Sequence, residues 1–319
     1  MAQTMITDEQ QADTFTALLE RLNRQSVERH FDAYADVAWD DEAYRIDPDD
    51  PRWASGPDDP ITETAWYKAQ PPELQARLGL HTTASKMKIG LQFESILKRG
   101  LLEFAAKLPN RSPEFRYAYH ELIEEAQHSL MFQEFVNRSG FDVPGMPPIV
   151  AFGARRVVLL GRRFPALFFM FVLGGEDPID YVQRQALRSG REVHPLLERI
   201  MRIHVTEEAR HLSFARNYLK TNVPKLPRRK RFALAVQTPF ILGAMAQLML
   251  RPSDAIVKTY RIPKAVLREA YTGNPEYAAG VRDSLRKVRT LARDLGLITP
   301  ITKPIWKAFG IWADDARAA

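Results

Sequence analysis

The sequence predicts an all-α protein built around a four-helix bundle with one long crossover. Apolar residues recur at helical spacing along most of the 319 residues, whereas strand-like alternation is scarce. Hydrophobic residues make up 45% of the chain, enough for a substantial buried core. We expect one elaborated domain over residues 1–319, with the bundle core at 85–219, an N-terminal extension at 1–84 and C-terminal helices at 220–319.

The N-terminal extension is predicted to be one helix followed by irregular chain. Residues 8–34 have the pattern of a leading helix, and residues 39–60 are rich in Asp and Pro, which is typical of an irregular surface segment. This segment could cover a site on the bundle. The first core helix is expected at 85–108.

Later elements follow from breaks in the apolar pattern. The Gly-, Pro- and Met-containing stretch 137–149 is expected to start the crossover, and the apolar run 164–173 belongs to the third core helix. Residues 228–296 are predicted to add further helices. The tail around Trp306 and Trp312 is expected to pack on the bundle.

Two well-separated segments of the chain repeat each other in a helical context. The first is Glu-Glu-Ala-Gln-His at 124–128, and the second is Glu-Glu-Ala-Arg-His at 207–211. Two copies of Glu-x-x-His, with one more glutamate from each of two other helices, are the ligands by which a four-helix bundle holds two metal ions. Each repeat should therefore have a glutamate one helical hairpin upstream.

Two glutamates meet this requirement at matching distances. Glu94 precedes Glu125 and Glu176 precedes Glu208, and the two separations in sequence agree to within a single position. Glu94 lies in an apolar run, where an unpaired buried carboxylate would be costly. Two aspartates close behind Glu176, and a Gly-Gly pair before it that could end a helix, leave alternatives open at that position.

The doubled glutamates leave one ambiguity in each repeat. Glu124 and Glu207 also lie within reach of the histidines of their own repeats. We prefer Glu125 and Glu208, three residues before the histidine, because this is the spacing of known bundles.

A third imidazole departs from the simplest set of six ligands. His204, Glu208 and His211 fall within about 60° of arc on one helical face. If His204 is a ligand, one metal ion has two imidazoles and the site is asymmetric. The equivalent position in the first repeat is Glu121, which we expect to accept a hydrogen bond from a metal-bound imidazole.

This ligand set suits iron and oxygen chemistry. Mixed carboxylate and imidazole ligands favour iron or manganese over thiolate-bound metals, and the chain has no cysteine. Four carboxylates balance two divalent ions, so the reduced site can be buried without net charge. We expect two iron ions as cofactors, with manganese an alternative in one or both positions, and O2 as co-substrate.

The assembled residues resemble the p-aminobenzoate N-oxygenase family of di-iron arylamine oxygenases. The resemblance rests on Ser26-Val27, residues 36–40, Phe93-Glu94, the first repeat with Met131-Phe132, Glu176, and above all His204-x-x-x-Glu208-x-x-His211. The last motif is the most specific, because a third histidine ligand distinguishes this family.

By this resemblance seven positions carry over as metal ligands: Glu94, Glu125, His128, Glu176, His204, Glu208 and His211. The resemblance also implies a ferritin-like fold, insertion of oxygen into an aromatic amine, and electrons from an external donor. It implies the metal site better than the substrate, because related bundles carry out other reactions.

Two other classes of protein stay open. The first is another di-metal oxidase, such as an acyl-chain desaturase or a Mn/Fe ligand-binding oxidase; His204 argues against it because the simpler bundles use two imidazoles. The second is a non-catalytic iron-handling protein, which the long extensions outside the bundle core argue against.

Charge and hydropathy limit the partners. The formal net charge is +6, and residues 225–231 carry much of it. Such a cluster is more often a solvated helix start than a nucleic-acid site, so we expect no nucleic acid, although an acidic electron carrier or acyl carrier protein could dock there. We expect a small organic substrate and a homodimer, since dimers are common among such bundles.

One segment raises the question of a membrane. Residues 232–250 carry no charged side chain and approach the lower length limit for a spanning helix, but polar residues and a proline interrupt them. We therefore expect a buried core helix rather than a transmembrane span, with peripheral membrane contact as the next alternative. The N-terminus lacks a basic-then-apolar leader, so a cytoplasmic location is expected.

Overall fold

A computed structural model describes residues 8–313, and the regular structure in this range is entirely helical, which confirms the predicted fold class. The α-helices are α1 (Asp8–Glu28), α2 (Ala65–Lys68), α3 (Pro72–Ala105), α4 (Pro113–Ser139), α5 (Pro148–Val158), α6 (Leu160–Arg163), α7 (Pro165–Arg188), α8 (Pro195–Asn222), α9 (Arg228–Leu250), α10 (Asp254–Thr259), α11 (Lys264–Leu267), α12 (Pro275–Ser284), α13 (Arg286–Asp294) and α14 (Lys303–Ala308). Short 3-10 turns lie at Glu42–Tyr44, Pro51–Trp53 and Pro60–Glu63, and a π turn at Arg268–Thr272.

Helices α3, α4, α7 and α8 form the four-helix bundle. Helix α3 packs on α4 and α7 packs on α8, while α5 and α6 lie in the crossover between these two hairpins. Each of the four begins with proline, whose fixed φ and missing N–H suit the first helical position. Gly140 ends α4 at φ 72°, the left-handed conformation that glycine adopts most readily.

Two core helices extend beyond their predicted limits. Helix α3 begins at Pro72, well before the predicted residue 85. Helix α7 continues through Gly174 and Gly175, which the sequence left as a possible helix end. Packing explains the glycine, because a Cβ on Gly175 would lie 2.2 Å from Cζ of Phe93 on α3. The small residue is needed for close approach of two helices.

The N-terminal segment is more deeply buried than its composition predicts. Helix α1 ends at Glu28, earlier than expected. Trp39 and Trp53 are both buried, so the prediction of a surface segment over 39–60 is wrong for these residues. The ring of Trp53 stacks on His194 with centroids 4.0 Å apart. Aromatic burial against α3, α4 and α8 holds this irregular chain on the bundle.

The C-terminal helices cover the other side of the bundle. Helix α9 packs along α7, and Trp306 of α14 is fully buried in the main core, as predicted for the tail. The segment Arg228–Thr259 is long and apolar enough to cross a membrane, yet half of its most apolar window is buried in the protein. This is weak evidence for a membrane span, because core helices of soluble proteins have the same character.

Candidate metal centre

The four bundle helices bring the seven predicted ligands to one buried region. These residues are Glu94 on α3, Glu125 and His128 on α4, Glu176 on α7, and His204, Glu208 and His211 on α8. None of the seven is more than 4% exposed. Every helix of the bundle thus contributes at least one carboxylate.

Two carboxylates lie between two imidazoles at the centre of this region. Nδ1 of His211 lies 3.0 Å from Oε1 of Glu125 and 3.0 Å from Oε1 of Glu208. Nδ1 of His128 lies 3.6 Å from Oε2 of Glu125 and 3.7 Å from Oε1 of Glu208. Both carboxylates therefore face both histidines, as bridging ligands of a metal pair would.

The remaining candidates lie on one side of this centre. Oε1 of Glu94 is 3.9 Å from Nδ1 of His128, and Oε2 of Glu176 is 4.0 Å from Nε2 of His204. Ligand atoms of Glu94, His128 and His204 lie within 4.8 Å of one another, as do those of Glu176, His204 and Glu208. Such groups are compact enough to share a cation.

The donor atoms fit a pair of divalent metal ions. Both oxygens of Glu125, Oε2 of Glu208, Oε1 of Glu94 and Nδ1 of His128 are buried without a hydrogen-bond partner among residues 8–313. Unsatisfied buried polar atoms are costly, and functional sites are one place where they occur. Carboxylate oxygens and imidazole nitrogens are donors that iron and manganese accept.

The buried carboxylates of the site lie close enough to raise one another's pKa values, which favours the binding of cations. Burial and the nearby charge of Glu125 raise the pKa of Glu94 to about 8. Burial and the charge of Glu208 raise the pKa of Glu176 well above its ordinary value. Burial alone would lower the pKa of His128, but the adjacent carboxylates of Glu125 and Glu207 outweigh it and raise that pKa well above its ordinary value. Bound cations would relieve the repulsion among the carboxylates.

His204 has the protonation and orientation of a metal ligand. Its Nδ1 lies 2.9 Å from Oε1 of Gln183, which accepts a hydrogen bond from this nitrogen. Its Nε2 then faces the carboxylates of Glu176 and Glu208, at 4.0 and 3.9 Å. Burial and the neighbouring charge of His128 hold the pKa of His204 well below its ordinary value, so the imidazole stays neutral. A neutral imidazole with a fixed tautomer is the form that binds metals.

The first glutamate of each repeat holds the histidine of the other repeat. Nε2 of His128 donates to Oε2 of Glu207 at 2.9 Å, and Nε2 of His211 donates to Oε2 of Glu124 at 2.7 Å. This pairing leaves each Nδ1 facing the centre. Glu124 and Glu207 therefore lie outside the ligand cluster, and the ambiguity of the doubled glutamates is removed by tertiary contacts.

Glu121 does not form the hydrogen bond expected from the sequence. Its side chain is fully buried, and neither oxygen has a hydrogen-bond partner within the described residues. The reason is that Glu124 and Glu207 already occupy Nε2 of the two histidines. Burial raises the pKa of Glu121 well above its ordinary value, which favours a neutral carboxyl group.

The sequence analysis did not identify Arg210, a buried cation that forms ion pairs with both Glu124 and Glu207. Nη2 of Arg210 lies 2.9 Å from Oε1 of Glu124 and 3.5 Å from Oε1 of Glu207. The backbone N–H of Phe31 also donates to Oε1 of Glu207, at 3.1 Å. Gln127 occupies the position in the first repeat that is equivalent to Arg210. Its Oε1 accepts a hydrogen bond from the backbone N–H of Ala33 at 2.8 Å. The residue just before the histidine of each repeat thus helps close this side of the site.

A serine and a lysine were also missed. Ser129 donates from Oγ to Oε2 of Glu94 at 2.7 Å. Lys98 donates from Nζ to the backbone oxygen of Glu125 at 3.0 Å and to Oγ of Ser129. Ser129 lies one residue after His128, and Lys98 lies four after Glu94, so helical spacing was the available signal. These bonds orient Glu94.

A cavity of about 580 Å³ opens on one side of the candidate ligands. Glu94, Glu176 and His204 contribute to its lining, whereas Glu124 and Glu207 do not. Residues 52–60 line its outer part. The sequence left open whether residues 39–60 cover the site. In the structure, residues 52–60 of this segment line the cavity that leads to the candidate ligands.

Comparisons with known proteins identify the family of the chain. The model of the P-aminobenzoate N-oxygenase AurF family matches residues 12–296. An uncharacterized protein of Mycobacterium tuberculosis (strain CDC 1551 / Oshkosh) is 41% identical over 303 residues, covering 95% of this chain and 89% of its own. An uncharacterized protein of Mycobacterium bovis (strain ATCC BAA-935 / AF2122/97) is 40% identical over the same shares. No solved structure matches the chain. The chain therefore belongs to the P-aminobenzoate N-oxygenase AurF family.

Proposed function

We propose that the protein is a di-iron oxygenase that activates O2 to oxidise a small organic substrate, and that its reaction is the N-oxygenation of an arylamine. The observation that carries this proposal is the asymmetric cluster of seven buried candidate ligands in which His204 is a neutral third imidazole. Membership of the family supports it.

The chain's own residues define where the substrate approaches. Bound iron would pass electrons from the external donor to O2. Glu94, Glu176 and His204 border the cavity, so a substrate in the cavity meets the site on that face. The opposite face is closed by Glu124, Glu207 and Arg210, whose hydrogen bonds and ion pairs exclude water.

In the first step of N-oxygenation, one oxygen atom of O2 is inserted into an N–H bond of the amine, which gives a hydroxylamine. The other oxygen atom leaves as water, which takes two protons and two electrons from an external donor. We propose that this donor is an acidic protein that docks at the basic cluster 225–231, and that the enzyme works in the cytoplasm as a homodimer. The positive charge of the cluster supports the docking proposal.

The rival functions differ in metal content and products. Elemental analysis after expression with both metals, followed by O2 consumption with reduced protein and arylamines, tests the proposal. About two irons per chain and mass-spectrometric detection of hydroxylamine, nitroso or nitro products are expected. Equal iron and manganese would favour the Mn/Fe oxidase. Desaturated acyl chains would favour the desaturase, and iron uptake without substrate oxidation would favour iron handling.

A further inference from the structure

The cavity beside Glu94, Glu176 and His204 is long. Its length can be obtained from the lining residues of two helices, α3 and α7. Along α3 its lining extends from Gly79 to Glu94, about 22 Å at the helical rise per residue. Along α7 it extends from Glu176 to Ser189, about 20 Å. Both helices thus place the outer end about 20 Å from the candidate metal centre.

Contacts at the outer end show that the two helices share it. A Cβ on Gly79 would meet the backbone oxygen of Trp53 at 1.9 Å, so α3 lies against residues 51–54 there. Arg191, just after α7, donates to the backbone oxygen of Ala54. Residues 52–60 therefore line the end of the cavity that lies farthest from the candidate ligands.

The cavity is also larger than a single-ring arylamine needs. Its volume is about 580 Å³. A single-ring arylamine has about ten heavy atoms, which occupy less than ~300 Å³ even at the volume of one liquid water each. Such a molecule would leave about half of the cavity unfilled.

The middle of the cavity is mainly apolar. Its walls include Met87, Phe93, Phe132, Val182, Met201 and Leu248, with the polar side chain of Gln183 beside them. Charged lining residues other than Glu94 and Glu176 lie toward the outer end or, like Lys86, are exposed to solvent. The outer end carries both signs of charge, for example Arg191 and Asp58. An occupant that fills the cavity therefore needs a long apolar body between its two ends.

We propose that the substrate is an elongated lipophilic arylamine about 17 atoms long, with its nitrogen at Glu94, Glu176 and His204 and its far end at residues 52–60. An extended chain advances about 1.2 Å per bond, as an extended polypeptide does, so about 17 atoms span about 20 Å. Oxidation of the reacting end rests on the proposed function, whereas occupancy of the cavity does not.

Binding of n-alkyl carboxylates and n-alkylamines of about 8 to 20 carbons, measured by calorimetry on iron-loaded and chelated protein without O2, tests this inference. Affinity should rise by up to about fourfold per methylene and level off beyond about 16 carbons, with at least a ~100-fold difference between the 8-carbon and 16-carbon chains. Equal affinities across the series would overturn the inference. Binding of a single-ring arylamine as tight as that of the 16-carbon chain would also overturn it.

A blocking variant locates the chain in the cavity. Val182 lines the wall about 9 Å beyond Glu176 along α7, so Val182→Trp should shorten the usable cavity by about half. The 16-carbon chain should bind at least ~10-fold more weakly, while the 8-carbon chain stays within ~2-fold. Arg188→Trp, an exposed position on α7 outside the lining, is the matched control and should change neither. Unchanged 16-carbon binding in folded Val182→Trp would contradict the inference.

The two proposals fail in different ways. Binding that depends on chain length, without O2 consumption, would support the proposal of an elongated substrate and contradict the proposal that the protein is an oxygenase. Oxygenation of a small arylamine without length-dependent binding would sustain the oxygenase and overturn the elongated substrate. Melting curves of both tryptophan variants establish that they are folded, and the chain-length series on the unmodified protein decides the question without them.

Discussion

At the residue scale, the two Glu-Glu-Ala-x-His repeats are joined by hydrogen bonds, because a glutamate of each repeat accepts from the histidine of the other. Glu207 bonds His128 of the other helix, and Glu124 bonds His211. Arg210 links the two glutamates, so their charges are paired away from solvent. A histidine held at Nε2 can present only Nδ1 to a metal, which sets both the tautomer and the ring orientation.

Glu207→Gln should weaken metal binding by about 10- to 100-fold, because an amide holds the His128 imidazole less firmly than a carboxylate does. Competition titration with a coloured chelator measures this change. Glu198→Gln on the same helix, where Glu198 pairs with Arg202 at the surface, is the control and should have no effect. An equal loss in both variants would contradict a specific role for Glu207.

His204→Ala should lower iron content below two per chain, because one ion loses an imidazole and keeps mainly carboxylates. Elemental analysis, with Mössbauer spectra of the two iron sites, measures the change. His81→Ala removes another buried histidine, which stacks on Phe141 at 4.2 Å, and should leave iron content unchanged. Two irons with unchanged spectra in His204→Ala would remove His204 from the ligand set.

At the element scale, glycines allow the crossover to lie tightly on the first bundle helix. A Cβ on Gly161 of α6 would lie 2.0 Å from the backbone oxygen of Gly100 on α3. Backbone cannot move aside as a flexible side chain does, so the contact requires glycine. This approach positions α7, which begins just after α6 and carries Glu176 into the site.

Gly161→Ala should lower the free energy of unfolding by about 1–3 kcal/mol through overpacking. Gly153→Ala on α5, where a Cβ would meet nothing within 4 Å, should instead stabilise the protein by up to about 1 kcal/mol. Urea denaturation of chelated protein measures both. A stability loss of the same size in the two variants would show that the close contact with Gly100 is not its cause.

At the scale of the whole molecule, buried charge opposes the stability of the fold. The four candidate ligand carboxylates, with Glu121, Glu124 and Glu207, are all nearly inaccessible to solvent. Burial, with repulsion from neighbouring carboxylates, raises the pKa values of Glu94, Glu121 and Glu176. Removing charges from water without full pairing is costly.

Metal loading should therefore stabilise the protein clearly. Ligand binding at about 100 times the dissociation constant adds about 2.7 kcal/mol to the free energy of unfolding. Melting temperatures of iron-loaded and chelated samples, taken without O2, measure this effect, and the shift should shrink in Glu125→Ala, which lacks a central donor. Equal melting temperatures of loaded and chelated protein would contradict the metal site.

The candidate ligands were predictable because their relationship is local. Helical periodicity places Glu125 and His128, or His204 and Glu208, on one face whatever the rest of the chain does. The upstream glutamates followed from the length of a helical hairpin. Ligation of metal by these seven residues stays a prediction, but the structure brings all of them together in one buried region.

The sequence by itself determined the all-α bundle, the family and the candidate ligands, since each follows from spacing within single helices and hairpins. Only the tertiary structure decided which nitrogen of each histidine faces the centre, the bond from His204 to Gln183, the burial of Trp53 and the elongated cavity. The physical reason is that these features depend on contacts between segments far apart in the chain. Phe93 shows the same limit, because its close approach to Gly175 explains a glycine that the sequence left as a possible helix end.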